Sequence, residues 1–326
     1  MIDHTKIFEI STKAEFESRT LDIFRFQIEK NSVYNEFCGY LGKSRDNVTQ
    51  IEEIPFLPID FFKFRRIVSS GAPDDLIFSS SGTTGSITSK HYVTDISLYK
   101  RSYLKGFESF YGTVANYCVL ALLPSYLERK GSSLIYMVND LITQSNNPHS
   151  GFYLDEIDLL VEKLISLDSK GERILLIGVS CELLDMLENH QLQLENNIVI
   201  ETGGIKVRRK DMIREELHAI LKEGFGVETI HSEYGMTELL SQAYATENGI
   251  FKTPPWMKVL IRDPEDPLTL FGPGKTGGVN VIDLANINSC SFIATQDLGK
   301  LHKDGSFEIL GRFDNSDIRG CNLMVL

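Results

Sequence analysis

The chain has 326 residues, a formal net charge of -12 and 42% hydrophobic residues, which suits a folded α/β protein with a sizeable core and excludes a disordered chain. The acidic balance argues against nucleic acid as a partner, because phosphate backbones are bound by clustered Lys and Arg. We expect neither a membrane span nor a signal peptide, since the sequence lacks both a run of ~18 apolar residues and a basic start followed by an apolar segment.

Five cysteines are spread along the chain without any CxxC spacing. They are Cys38, Cys118, Cys181, Cys290 and Cys321. This pattern indicates neither a metal site nor a disulfide framework. Free thiols are typical of a reducing compartment, so we predict a cytoplasmic protein.

The first part of the chain, to about residue 47, has apolar residues at helical spacing and a candidate N-cap at Ser11. Pro55 and Pro58 then open an aromatic-rich segment. We predict an N-terminal helical subdomain over residues 1–70.

From Leu76 onward, short apolar runs alternate with amphipathic stretches. This alternation predicts βαβ units around a parallel sheet. The expected strands cover residues 76–78, 119–123, 174–179, 198–200 and 227–230, and the expected helices cover 97–110, 133–143, 155–167, 181–188 and 211–222. After Trp256, Gly and Pro punctuation predicts a small antiparallel sheet that ends near Ile309.

A loop of small hydroxyl residues and glycines follows the strand predicted at 76–78. It contains Ser80, Ser81, Gly82, Thr83, Thr84 and Gly85. Inward-turned backbone N–H groups and small hydroxyls suit the wrapping of nucleotide phosphates. The loop is not a Walker A sequence, and by itself it is also compatible with an ordinary surface turn.

A second motif, Tyr234-Gly235-Met236-Thr237-Glu238, follows another predicted strand. A tyrosine face can stack on adenine, a threonine hydroxyl can bond a phosphate, and a carboxylate can hold Mg²⁺. In isolation this motif is also compatible with a structural turn.

The two motifs in this order resemble those of the adenylate-forming enzyme superfamily. The phosphate loop of that superfamily normally continues with Pro-Lys-Gly, whereas this chain has Ile87-Thr88-Ser89-Lys90-His91. That continuation is similar to the LuxE-type acyl-protein synthetases, in which a basic residue and a histidine follow the loop.

The resemblance implies an α/β fold with mixed and parallel sheets flanked by helices and a small β-rich C-terminal subdomain. It assigns residues 71–310 to an AMP-binding core and residues 311–326 to a tail. The mobile C-terminal domain of acyl-CoA ligases is expected to be absent.

The resemblance also implies ATP and Mg²⁺ as cofactors and assigns their site. Gly203 and Gly204 would flank the adenine, Asp297 would bond the ribose, and Glu238 would bind the metal. The ATP-binding set is Ser80, Ser81, Gly82, Thr83, Thr84, Gly85, Gly203, Gly204, Tyr234, Gly235, Thr237, Asp297 and Arg312. Lys90, His91 or Arg312 would neutralise charge during catalysis.

The remaining implied residue is Cys321, which stands near the end of the chain. In the LuxE-type family a cysteine at this place accepts the acyl group as a thioester. A thiolate is a strong nucleophile, and the neighbouring Arg319 can lower its pKa. We therefore expect acyl transfer from the adenylate of a carboxylic acid, a fatty acid first of all, to Cys321, and then to an acyl-CoA-reductase-like protein partner.

Two other functions fit the same residues. One is a short aryl- or acyl-CoA ligase of the phenylacetate-CoA ligase type. The other is a nucleotide- or acyl-binding module that has lost catalysis. The sequence leaves the acyl chain open between a fatty and an aromatic acid.

Overall fold

A computed structural model describes residues 4–69, 71–80, 87–125, 131–195, 197–202 and 212–313. None of the helices within these ranges is long and apolar enough to cross a membrane. The division of the chain at residues 70 and 310 stays a prediction.

The N-terminal part is helical, as predicted, with α1 over Lys13–Lys30 and α2 over Ser32–Tyr40. The N-cap of α1 is Thr12, whose hydroxyl accepts the backbone N–H of Glu15. The Glu15 carboxylate in turn accepts the N–H of Thr12, which completes a capping box. The prediction of Ser11 as N-cap was therefore wrong by one residue.

The remaining helices are α3 (Phe61–Phe64), α4 (Ile96–Tyr111), α5 (Ser133–Ser145), α6 (Ile157–Asp168), α7 (Ser180–Leu187) and α8 (Arg214–Phe225). The strands up to the second motif are β1 (Leu57–Pro58), β2 (Leu76–Ser79), β3 (Lys90–Val93), β4 (Cys118–Leu122), β5 (Gly151–Phe152), β6 (Ile174–Val179), β7 (Asn197–Thr202) and β8 (His231–Tyr234). The later strands are β9 (Ala243–Ala245), β10 (Phe251–Lys252), β11 (Met257–Arg262), β12 (Leu270–Phe271), β13 (Thr276–Asp283), β14 (Phe292–Leu301) and β15 (Phe307–Arg312).

Within the described ranges, thirteen of these strands form one mixed sheet. Strands β5, β4, β6, β7 and β8 run parallel in that order. The order then continues antiparallel through β9, β10, β15, β14, β13, β11 and β12, while β1 pairs with β14. The predicted α/β class and the β-rich C-terminal part are confirmed, and the structure adds that the β-rich part continues the parallel sheet. Strands β2 and β3 form a separate hairpin.

The strand predicted at 227–230 was wrong in position, since β8 covers His231–Tyr234. Residues of β8 pair with β7, at Ile200 with His231 and at Glu201 with Ser232. Three of the four residues of β8 are buried although the strand is polar in sequence. Apolar content therefore pointed to the wrong segment, because this strand end carries buried polar groups.

Helices cover both faces of the parallel strands. Alternate residues of β4 and β6 point to opposite faces, with Val119 and Leu175 in one apolar cluster and Leu120 and Leu176 in the other. The first cluster includes buried residues of α4 and α5, and the second includes those of α6, α7 and α8.

The turn between β13 and β14, residues 284–291, lies almost wholly in the core. Its backbone is held by side chains from the N-terminal helices. The Gln27 amide donates to the carbonyls of Asn286 and Ile287 at 3.1 and 2.9 Å and accepts the Ser291 N–H at 3.0 Å. Asn31 donates to the Ser289 carbonyl at 2.9 Å. Buried backbone groups need such partners, so α1 and α2 are bonded to the far end of the chain.

We predict that Gln27→Leu lowers the free energy of unfolding by about 2–4 kcal/mol, because it leaves buried carbonyl and N–H groups unbonded. Urea unfolding followed by circular dichroism measures the change. Glu29→Leu, on the exposed side of the same helix, is the matched control and should change it by less than about 0.5 kcal/mol. Equal effects of the two substitutions would contradict the prediction.

Candidate active site

The β2–β3 hairpin brackets the predicted phosphate loop. At its base, the Ser80 N–H donates to the Ser89 carbonyl at 3.1 Å, and the Ser89 N–H donates to the Ser80 hydroxyl at 3.0 Å. Ser80 is thus fixed at the neck of the loop. The other predicted loop residues lie outside the described ranges, as do two glycines and the tail cysteine: Ser81, Gly82, Thr83, Thr84, Gly85, Gly203, Gly204 and Cys321.

Three predicted residues from distant parts of the sequence are in contact. The Tyr234 hydroxyl donates to Asp297 Oδ2 at 2.8 Å, and Arg312 Nε lies 3.2 Å from Asp297 Oδ1. Asp297 and Arg312 are directly opposite each other in the β14–β15 pair. The Asp297 carboxylate is buried, whereas half of the Arg312 side chain is exposed. Burial and the neighbouring Asp297 raise the pKa of Tyr234, so its hydroxyl remains a donor.

Glu238 is buried beside this group. Burial raises the pKa of its carboxyl, while a hydrogen bond from the Ser89 side chain and the charges of Arg312 and Lys63 act in the opposite direction. Glu238 therefore lies against the hairpin. In the described part of the chain no three metal-ligating side chains converge. A single carboxylate still fits Mg²⁺, because this ion is usually held by one or two carboxylates together with phosphate oxygens and water.

The two residues predicted after the loop differ in their surroundings. His91 is fully buried, and its Nδ1 and Nε2 lie 2.9 and 3.0 Å from the Thr237 carbonyl and Asn286 Oδ1. Burial lowers the pKa of His91 to about 4. Lys90 is exposed and lines a surface groove of about 380 Å³ with Phe64 and Arg66 among its walls. Lys90 and Arg312 can thus meet a substrate directly, whereas the His91 ring faces protein oxygens.

Two residues that the sequence interpretation missed hold the segment after Thr237. Asp283 is fully buried and accepts the N–H groups of Leu240 and Ser241 at 2.7 and 2.9 Å. The Asn286 amide group donates to the Glu238 carbonyl at 2.7 Å. Burial raises the pKa of Asp283 to about 6. Neither residue belongs to a recognisable sequence motif. They lie at the end of β13 and in the turn after it, and the pairing of the strands brings them beside residues 238–241.

Glu233 directly precedes the Tyr234 motif, but the sequence interpretation gave it no role. Its carboxylate accepts the Thr202 hydroxyl at 2.5 Å. A Cβ atom on Gly235 would clash with Glu233 Oε1, so a larger residue there would displace this buried carboxylate. Burial, with a smaller effect from the negative charge of Glu201, raises the pKa of Glu233 to about 7.

Four of the five cysteines are described, and none of them suits nucleophilic catalysis. Cys38, Cys118 and Cys290 are buried and Cys181 is half-buried. Burial raises the pKa of Cys38 to about 12 and that of Cys118 to about 11. Since the thiolate is the reactive form, these thiols are poor nucleophiles at neutral pH.

The fold is that of adenylate-forming enzymes. A 2-hydroxyisobutyryl-CoA ligase superposes with a TM-score of 0.63 at 12% identity, covering 93% of this chain and 70% of that enzyme. ATP-bound MatB from Rhodopseudomonas palustris gives a TM-score of 0.55 at 19% identity, with 75% of this chain and 49% of MatB covered. The chain thus spans about half the length of MatB.

The profile of the acyl-protein synthetase family LuxE matches residues 5–326. The chain therefore belongs to this family of ligases and is an enzyme. It is 24% identical over 341 residues to a long-chain-fatty-acid–luciferin-component ligase of Aliivibrio fischeri, covering 93% of this chain and 85% of the relative. A protein of the same name from Photorhabdus luminescens is 38% identical over 66 residues, 20% of this chain and 56% of the relative. Family and fold together support activation of an acid with ATP.

The buried Glu233 gives a testable pH dependence. Its pKa is raised from 4.5 to about 7, so the folded protein keeps a proton that the unfolded chain releases. Stability must then fall as pH rises through this window, by up to about 3 kcal/mol. We expect Glu233→Gln to lack this loss, so that its stability relative to the wild type increases between pH 5 and pH 8.

Urea unfolding at both pH values measures this difference. The exposed Glu247→Gln serves as control and should track the wild type at both. A pH-independent difference between Glu233→Gln and the wild type would show that the Glu233 carboxyl ionises normally.

Proposed function

We propose that this enzyme activates a long-chain fatty acid with ATP and transfers the acyl group to its own Cys321. The observation that carries the proposal is the convergence of Tyr234, Asp297 and Arg312 with Glu238 beside the hairpin of the phosphate loop. Membership of the LuxE family supports the acyl-protein synthetase chemistry. The names of the two relatives support a long-chain fatty acid as the substrate.

In the nucleotide site, the Tyr234 ring and the glycines at 203 and 204 would enclose the adenine. Asp297 would accept a ribose hydroxyl, since a carboxylate can accept several hydrogen bonds at once. The loop Ser80–Gly85 would hold the β- and γ-phosphates, and the Thr237 hydroxyl would bond the α-phosphate. Mg²⁺, held by Glu238, would supply charge neutralisation on the phosphates.

In the first step a carboxylate oxygen of the acid attacks the α-phosphorus in line. The bond to the β-phosphate oxygen breaks, and pyrophosphate leaves with the electron pair. Such transfers depend on positioning and on neutralisation of charge. Arg312 and Lys90 are the accessible cations that we assign to this neutralisation.

In the second step the Cys321 thiolate attacks the acyl carbon. A carbon–sulfur bond forms, the mixed anhydride breaks, and AMP leaves. Cys321 is the preferred acceptor because the four other thiols are wholly or partly buried, with raised pKa values. We propose that the thioester is then delivered to an acyl-CoA-reductase-like partner in the cytoplasm.

The first test is intact-protein mass spectrometry after incubation with ATP, Mg²⁺ and a panel of fatty and aryl acids. We expect a hydroxylamine-labile acyl adduct on the wild type and on Cys181→Ala, the half-buried control, but none on Cys321→Ala. Pyrophosphate release without an adduct would reject the thioester and favour a CoA ligase, which is then tested with free CoA.

The second test separates an enzyme from an inactive binding module. We expect Glu238→Gln to lower ATP–pyrophosphate exchange by about 10²-fold or more, because it removes a charge that acts on the reacting phosphates. Glu247→Gln should leave the exchange rate unchanged. If the wild type binds ATP but shows no exchange with any acid, the chain is a binding module instead.

A further inference from the structure

His91 is the point at which the β2–β3 hairpin meets the Tyr234 motif. It lies on β3, two residues after Ser89, and its ring is fully buried. The rings of His91 and Phe62 make a T-shaped contact, with centroids 5.8 Å apart and an interplanar angle of 87°. The ring spans the space between the Thr237 carbonyl and the side chain of Asn286. It therefore links the strand that carries the loop to the segment that carries Thr237 and Glu238.

The directions of these hydrogen bonds follow from their partners. The Thr237 carbonyl can only accept, so Nδ1 must carry a proton to bond it. The orientation of Asn286 is equally fixed, because its NH₂ group donates to the carbonyls of Glu238 and Cys290 at 2.7 and 2.9 Å. Asn286 therefore turns its oxygen toward Nε2 of His91. The ring therefore has an acceptor oxygen opposite each nitrogen. Rotating the Asn286 amide would turn a donor toward Nε2, but the bonds to the Glu238 and Cys290 carbonyls would then be lost.

Two consecutive carbonyls are held by this arrangement. His91 bonds the Thr237 carbonyl directly. Asn286, which borders the same ring, bonds the Glu238 carbonyl. These carbonyls belong to the two peptide planes on either side of Glu238, so holding both fixes those planes. It thereby sets the direction in which the Glu238 side chain leaves the backbone and restrains the backbone at Thr237.

We propose that His91 is a positioning residue of the adenylation site, which orients Thr237 and Glu238 relative to the phosphate-loop hairpin without touching the substrate. This inference rests on the proposed function, since it assigns Thr237 and Glu238 to the nucleotide phosphates. It gives His91 a role different from charge neutralisation, which Lys90 and Arg312 are placed to perform.

The test uses ATP–pyrophosphate exchange with the acid that the wild type uses best. His91→Leu removes the Nδ1–H donor to the Thr237 carbonyl, and we expect kcat to fall about ten- to a hundred-fold, as for a misplaced catalytic group. The KM for the acid should stay within about two-fold of the wild type, because the buried His91 ring faces protein atoms at both nitrogens. His91→Gln keeps an amide donor and should recover kcat several-fold. His302→Leu, in the turn between β14 and β15, is the control and should leave kcat unchanged.

Several outcomes overturn the inference. One is a His91→Leu enzyme with an unchanged kcat, and another is a His91→Gln enzyme that is folded but no more active than His91→Leu. Circular dichroism first establishes that each variant is folded. A wild type without exchange on any acid would instead reject the proposed function.

Nitrogen-15 NMR of the wild type tests the hydrogen bond between His91 Nδ1 and the Thr237 carbonyl directly. It requires neither a variant nor catalytic turnover. The bond to the Thr237 carbonyl requires a proton on Nδ1, whether the ring is neutral or charged. We expect the His91 Nδ1 resonance in the protonated range. A neutral ring with its proton on Nε2 would leave Thr237 unheld and would refute the role of His91.

Discussion

The structure depends on one buried turn, residues 284–291, whose backbone polar groups lie in the core and must all find partners. Gln27 and Asn31 reach it from the N-terminal helices. Ser69 donates there twice, from its N–H to the Asn288 carbonyl and from its hydroxyl to the Ser289 carbonyl. On its other side Asn286 bonds the Glu238 carbonyl and borders His91. A single turn thus joins the first helices, the hairpin and the Tyr234 motif, so that these parts are fixed relative to one another.

The sheet explains why the site residues are far apart in sequence. The parallel strands end at one edge, where β7 and β8 place Thr202 and Tyr234. The antiparallel strands β14 and β15 bring Asp297 and Arg312 to the same place, and Tyr234 bonds Asp297 across the gap. Ligand sites in α/β proteins lie at the carboxyl ends of strands for this reason. The convergence is a result of strand order rather than of local sequence.

Carboxyl groups are concentrated under the site, and burial raises the pKa values of Glu233, Glu238 and Asp283. Each is partly compensated by hydrogen bonds from hydroxyl or backbone N–H groups, such as those of Leu240 and Ser241 to Asp283. Buried carboxyls without compensation would destabilise the fold. These bonds therefore keep the acidic groups in place at the site without a matching number of buried cations.

The sequence by itself determined the α/β class, most of the helices and the strands β2, β4, β6 and β7, because these features follow from local periodicity. Short patterns also selected Tyr234, Asp297 and Arg312, which the structure brings into contact. It placed the Ile174–Val179 strand correctly, since a continuous apolar run is decided by its own residues. It misplaced β8, whose polar residues are buried only because the strand lies between β7 and β9 in the sheet. Only the tertiary structure decided the roles of Gln27, Asp283 and Asn286 and enclosed the ring of His91. Those roles depend on contacts between segments up to 264 residues apart, and such contacts leave no pattern within any one segment.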